Sequence, residues 1–234
     1  MNRPLHGGNL AWAAALAACP PEQILDFSAS INPLGPPQSA IAAIQAHLND
    51  LRAYPDPTYQ SLREALSQFH QLPAEWILPG NGSAELLTWA CRELAELKST
   101  TLITPAFGDY GRALKAFDAC VITCPLDLNS LSQTMLEAPA EAIEAGVRLE
   151  QVLDPQWAQA TRSTGGLLLN NPHNPTSQLF LKECLLPCLE RFALVVVDEA
   201  FMDFLPPQQE QSLLSLVEDY PNLVILRSLT KFYS

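Results

Sequence analysis

Five short stretches hold residue types that could do chemistry together. In "RSLTKFYS" (227–234) a lone lysine, Lys231, follows an apolar run and is flanked by Ser228 and Thr230. A lysine at a desolvating sheet edge gives up its proton more readily and can then attack a carbonyl carbon to form a Schiff base. In "VVVDEAFMDF" (195–204) Asp198 comes directly after apolar residues. A carboxylate there is costly unless a cation, such as a protonated ring nitrogen, meets it. In "NNPHNPTS" (170–177) two Asn-Pro steps impose turns, and Asn174 presents an amide able to bond a ligand oxygen. In "TPAFGDYG" (104–111) Phe107 could stack on a flat ring. In "LPGNGSAELL" (78–87) Gly80 and Gly82 let the backbone approach a ligand. The N–H groups of Ser83 and Ala84 would then open a helix whose dipole favours an anion.

Each stretch taken singly has a plainer reading. Lys231 reads equally as a solvated surface residue, Asp198 as a cap for the next segment, and Phe107 as core. "NNPHNPTS" and the glycine stretch read equally as turns. Glu199 and Asp203 read as helix-terminal or solvated charges.

The elements that must position these residues follow from pattern. Short apolar runs, "WIL" (76–78), "TLIT" (101–104), "CVITC" (120–124), "GLLLN" (166–170), "ALVVVD" (193–198) and "LVILR" (223–227), predict strands. Between them helices are predicted at 83–96, 109–117, 178–190 and 211–217. Continuous apolar strands alternating with helices indicate an α/β fold, a mostly parallel sheet covered on both faces. The first 70 residues read as helices at 9–18, 38–49 and 58–70, with Asn9 as N-cap and Pro20 as stop of the first. "DFSASINPLGPP" (26–37) reads as an ordered loop, and 125–162 carries no regular pattern. Polar signals fall at strand ends, where open α/β sheets bind ligands.

Glycine turn, aromatic, N-P-x-N-P, D-E-A and S-x-T-K, in this order, resemble the fold-type-I pyridoxal-phosphate enzymes, the aspartate-aminotransferase superfamily. "YPDP", "GNGSAEL", "NPHNPT" and "VVDEAFMDF" are similar to histidinol-phosphate aminotransferases and to the L-threonine-O-3-phosphate decarboxylases of cobalamin synthesis. "HGGN" (6–9), "DFSASINPLG" (26–35) and Phe201, where those aminotransferases usually have Tyr, favour the decarboxylases.

The resemblance implies pyridoxal 5'-phosphate with its phosphate on Ser83 and Ala84, helped by Ser228 and Thr230. It implies Phe107 stacked on the ring, Asn174 on O3′, Asp198 on the ring nitrogen and Lys231 as covalent anchor and proton carrier. Tyr54 of "AYPDP" would reach the cofactor phosphate of a second subunit, implying a homodimer, and His6 and Asn32 would lie near the phosphate of a small phosphorylated amino-acid substrate. Residues 1–40 would contribute to the small domain and substrate site, and 41–234 would form an incomplete cofactor-binding large domain. The family continues past the lysine with a further arginine, a last strand inserted between the first and sixth, and a C-terminal small domain. The expectation is therefore a truncated member with about six of seven large-domain strands, not competent for full catalysis alone. The rivals are an aminotransferase and a non-catalytic remnant that binds only cofactor or a partner subunit.

Among 234 residues, 13 are Lys or Arg and 25 are Asp or Glu, a formal net charge of −12. That argues against nucleic acid or an anionic membrane as partner, and any anion site must be built locally from N–H groups and a few cations. The six cysteines (Cys19, Cys91, Cys120, Cys124, Cys184, Cys188) are spread along the chain and are expected to be buried and reduced, with no metal. "NLAWAAALAAC" resembles a lipoprotein signal, but the preceding "HGGN" and the helix pattern oppose it. No stretch approaches the length of a membrane span, and a cytoplasmic location is expected.

Overall fold

The computed structural model describes residues 7–127 and 164–234. Five of the apolar runs form strands: β1 (Thr100–Thr104), β2 (Val121–Pro125), β3 (Gly166–Asn170), β4 (Leu194–Asp198) and β5 (Leu223–Leu226). All pair in parallel in the order β2-β1-β3-β4-β5. After α1 (Leu10–Ala17), α2 (Gln38–Ala46) and α3 (Gln60–His70), helix α4 (Ser83–Ala95) leads into β1; α5 (Gly108–Lys115) joins β1 to β2, α6 (Lys182–Arg191) joins β3 to β4, and α7 (Leu229–Phe232) follows β5.

Strand periodicity splits the core in two. Leu102, Leu168, Val196 and Leu226 face α4 and α5, packing on Leu87, Cys91, Leu94 and Leu114. Their strand neighbours Ile103, Leu167, Leu169, Val195 and Val197 face α6, packing on Cys184, Leu185, Cys188 and Leu189. Fully burying one such side chain contributes about 1.5–3 kcal/mol, so both faces must be covered for the sheet to hold. A Cβ on Gly166 would lie 2.3 Å from Leu94 Cδ2, so the absent side chain lets α4 sit close over β3.

The register decides where chemistry can happen. Asn170, Asp198 and Leu226 are aligned across β3, β4 and β5, so the segments that leave these strands start from one edge.

Three expected elements differ. "WIL" forms no strand: Ala74–Trp76 is a 3-10 turn, and the β-favouring Trp76 and Ile77 find no strand to pair with. Among the described residues the strands therefore number five instead of about six, and β5 is an edge. Predicted helix 211–217 is only a 3-10 turn at Leu214–Leu216. Side chains compete for its first N–H groups: Glu199 takes that of Leu213, and Ser212 Oγ takes that of Leu214. Predicted helix 178–190 starts at Lys182 because the Asn171 amide holds Phe180 extended, bonding its N–H and C=O at 2.9 Å each. Asn9 caps α1 as expected, accepting the Trp12 N–H at 3.0 Å. The irregular stretch 125–162 lies almost wholly outside the described residues.

Candidate active site

The glycine stretch becomes the N-terminus of α4. Gly82 is its N-cap at φ 78° and ψ 162°, a conformation essentially restricted to glycine. No side chain caps the helix, so the first-turn N–H groups around Ser83 and Ala84 are left for an outside acceptor. Glu85 turns back to take the Asn81 N–H at 2.6 Å. Across from this turn, Ser228 and Thr230 share a hydroxyl hydrogen bond of 2.9 Å. Gly80, Gly82, Ser83, Ser228 and Thr230 line one groove of about 1010 Å³. Residues more than 140 apart in sequence thus meet as a set of donors suited to a phosphate.

Asp198 ends β4 beside this row. Its Oδ1 accepts the Ala200 N–H at 3.0 Å, and its Oδ2 accepts the Tyr110 hydroxyl at 2.8 Å. Burial holds the carboxyl above its ordinary range; the Tyr110 and Ala200 hydrogen bonds and the positive charge of Lys231 pull the other way. Lys231 lies on α7, half-buried, and its Nζ makes no hydrogen bond or direct ion pair among the described residues. Phe107 is the N-cap of α5 and remains 39% exposed, so its ring is not core. The half-buried Asn174 keeps its side-chain amide without a hydrogen bond among the described residues. Its neighbour His173 is buried, bonds Thr176 Oγ1 at 2.7 Å, and is pushed down to about 4 by burial, so it stays neutral.

Other expected residues fall elsewhere. Asn32 spends its amide on structure: its N–H bonds Lys231 O at 3.0 Å and its Nδ2 bonds Phe232 O at 2.8 Å, tying loop 26–37 to the lysine turn. The Tyr54 side chain is fully exposed and is not part of the groove. His6 lies outside the described residues.

Glu199 and Asp203 are not the solvated or helix-terminal charges expected. Glu199 is fully buried and pairs with Arg227 at 3.0 Å, while Asp203 also pairs with Arg227. The cause is topological: Glu199 and Arg227 each immediately follow one of two paired strands, β4 and β5. Cys91, Cys124, Cys184 and Cys188 are buried, but Cys120 is exposed and Cys19 half-buried. Sequence reading missed Tyr110, whose one available signal was its place one helical turn after Phe107.

An uncapped helix start facing two hydroxyls, a buried carboxylate and a nearby lysine suit a flat, phosphorylated heterocycle bearing a protonated nitrogen and a carbonyl. Pyridoxal 5'-phosphate has all of these. A family profile described as Aminotransferase class I and II matches residues 22–234. The chain is 36% identical over 233 residues to threonine-phosphate decarboxylase of Salmonella typhimurium, covering 98% of this chain and 58% of that protein. It is also 36% identical over 207 residues to histidinol-phosphate aminotransferase of Symbiobacterium thermophilum, covering 86% of this chain and 51% of that protein. The crystal structure of histidinol-phosphate aminotransferase from Clostridium acetobutylicum superposes with a TM-score of 0.67 at 25% identity, over 90% of this chain and 57% of that one. The chain thus spans little more than half the length of these relatives. The sheet, the glycine-capped helix and the matched profile lead to one conclusion: the chain belongs to the class I and II aminotransferase family, whose cofactor is pyridoxal 5'-phosphate.

Proposed function

We propose that this chain carries the cofactor site of an L-threonine O-3-phosphate decarboxylase, which yields aminopropanol phosphate and carbon dioxide in cobalamin synthesis. The observation that carries a pyridoxal-phosphate reading is the gathering of Ser83, Ser228 and Thr230 on one groove, with Asp198 at the end of β4, paired to β5, and Lys231 next to Thr230 on α7. When bound, the cofactor supplies an electron sink for the pair released when a bond at the substrate Cα breaks. The α4 N–H groups with the Ser228 and Thr230 hydroxyls hold its phosphate. Asp198 keeps the ring nitrogen protonated, Phe107 supports one ring face, and Asn174 bonds O3′. Lys231 would be the residue that holds the cofactor covalently and would serve as the proton carrier of the site.

Decarboxylation is favoured over transamination by "HGGN", "DFSASINPLG" and Phe201, which brings no hydroxyl and packs near Phe204 at 6.2 Å. The aminotransferase of equal identity keeps a histidinol-phosphate-type activity as the second reading. We assign 1–40, with His6 and Asn32, to the substrate side and 41–234 to the cofactor-binding domain. The clasp between Asn32 and the lysine turn brings loop 26–37 beside that turn, which supports placing this segment near the site. Exposed Tyr54, with exposed Leu25, Phe27, Leu34 and Leu51 on neighbouring stretches, supports a homodimer in which Tyr54 serves the second subunit. No helix among the described residues is long and apolar enough to cross a membrane. The test supplies the protein, extended to the full length of its relatives, with cofactor and L-threonine O-3-phosphate and no keto acid. Stoichiometric carbon dioxide and aminopropanol phosphate are expected. Turnover of histidinol phosphate that needs a keto acid, without carbon dioxide from threonine phosphate, would establish the aminotransferase instead.

A further inference from the structure

We propose that Tyr110 is a positioning residue that aims the Asp198 carboxylate, and holds the Phe107 ring in step with it, for one planar protonated nitrogen heterocycle. The proposal rests on the cofactor reading above for the identity of that heterocycle, but not for the Asp198 contact itself. Tyr110 is 1% exposed and stands one turn into α5. It touches both groups that would flank a flat cation. Its N–H bonds Phe107 O at 3.1 Å, and its ring meets the Phe107 ring edge-on, with centroids 5.6 Å apart and planes at 85°. Its hydroxyl donates to Asp198 Oδ2 at 2.8 Å, across 88 residues of sequence.

Two donors then fix the carboxylate, Tyr110 on Oδ2 and the Ala200 N–H on Oδ1, and each oxygen keeps a lone pair for a further partner. A carboxylate held at both oxygens cannot rotate its charge away from a ring nitrogen. Burial, the first cause, and the Asp198 charge both push the Tyr110 phenol well above its ordinary range, so it remains a neutral donor. Buried Cys91, which also faces Tyr110, is itself raised to about 12 and adds no charge at ordinary pH. Among the described residues, Lys231 is the cation whose charge acts on Asp198.

The contact is read by following the Asp198 carboxyl through a pH titration in the cofactor-free protein, by carbon NMR with aspartate labelled at the carboxyl carbon. The resonance is assigned by its loss in Asp198→Asn. In Tyr110→Phe the titration is expected to move up by about one pH unit, a tenfold change in the protonation equilibrium. Replacing Tyr110 with 3-fluorotyrosine keeps the shape and makes the hydroxyl a stronger donor, so the titration is expected to move down. A tyrosine that only fills space would not respond to fluorination in this way. In the loaded protein Tyr110→Phe is expected to weaken pyridoxal phosphate binding about tenfold, measured by absorbance titration. If Tyr110→Phe fails to fold, the fluorotyrosine protein decides alone. An unchanged Asp198 titration overturns the proposal. A wild-type protein that binds no pyridoxal phosphate, yet shows the shifts, upholds the Tyr110–Asp198 contact and overturns the cofactor reading.

Discussion

Arg227 and Glu199 show what one buried pair does for the site. Glu199 is completely enclosed, accepts Ser212 Oγ at 2.6 Å and the Leu213 N–H at 2.8 Å, and faces Arg227 at 3.0 Å. Burial pushes its carboxyl up, while these hydrogen bonds and the Arg227 charge pull it down. A buried pair adds little over apolar packing, but removing one partner strands the other and costs about 3–5 kcal/mol. Arg227→Met is therefore expected to destabilise the protein by about that much near pH 7. The pH sign follows from linkage. Without the arginine, the folded state holds the Glu199 proton still more tightly than the unfolded chain does. That binding helps the fold at low pH and turns into a penalty as pH rises past the ordinary value of 4.5. The deficit should thus be small near pH 4 and open toward neutrality, which denaturant titrations at both ends would measure. An equal deficit at both would place the loss in packing instead. Because the pair locks the segments leaving β4 and β5, it also holds Asp198 and Ser228, which flank it in sequence, in their relation to each other.

At the scale of elements, the N-terminus of α4 depends on backbone conformation. Gly82 stands at φ 78° with open space where a Cβ would be, so Gly82→Ala meets no neighbour and is penalised only by strain. That strain amounts to about 1–3 kcal/mol, relieved when the turn rotates its N–H groups away from the groove. The variant is expected to fold while losing about tenfold or more in affinity for pyridoxal phosphate, measured by absorbance titration; unchanged affinity would remove this turn from the phosphate site. How far such elements were legible depends on what each needs. β3 and β4 were readable because a strand buried on both faces is apolar nearly throughout, whatever its partners. "WIL" was not, since its β-favouring residues make a strand only beside another strand. Nor was 211–217, where Ser212 and distant Glu199 capture N–H groups that a helix would need. Within the candidate site, Lys231, Asp198, Asn174 and the glycine turn could be put forward from sequence because local motifs point to them. Tyr110 and Arg227 were not, because their partners come from other strands and no spacing encodes them.

At the scale of the whole molecule, parallel register brings four of the five motifs to one edge, and the start of α4 joins them across the groove. Asn170, Asp198 and Leu226 stand in a row, and every segment that leaves the row brings polar groups to the same side of the sheet. A net charge of −12 makes such a site necessary for an anionic cofactor, because no general positive field would hold it. Helix-start N–H groups and hydroxyls bind phosphate without adding charge, and Lys231 and Arg227 are the cations at the end of β5. The central claim is that this edge exists to anchor pyridoxal phosphate on Lys231. The chain has four lysines, Lys98, Lys115, Lys182 and Lys231, so covalent attachment discriminates sharply. The most direct measurement is to incubate the purified protein with pyridoxal phosphate, reduce with borohydride and map the pyridoxyl group by peptide mass spectrometry. The account predicts a stoichiometric adduct on Lys231 that is lost in Lys231→Ala. No adduct, or one spread over Lys98, Lys115 and Lys182, would contradict it.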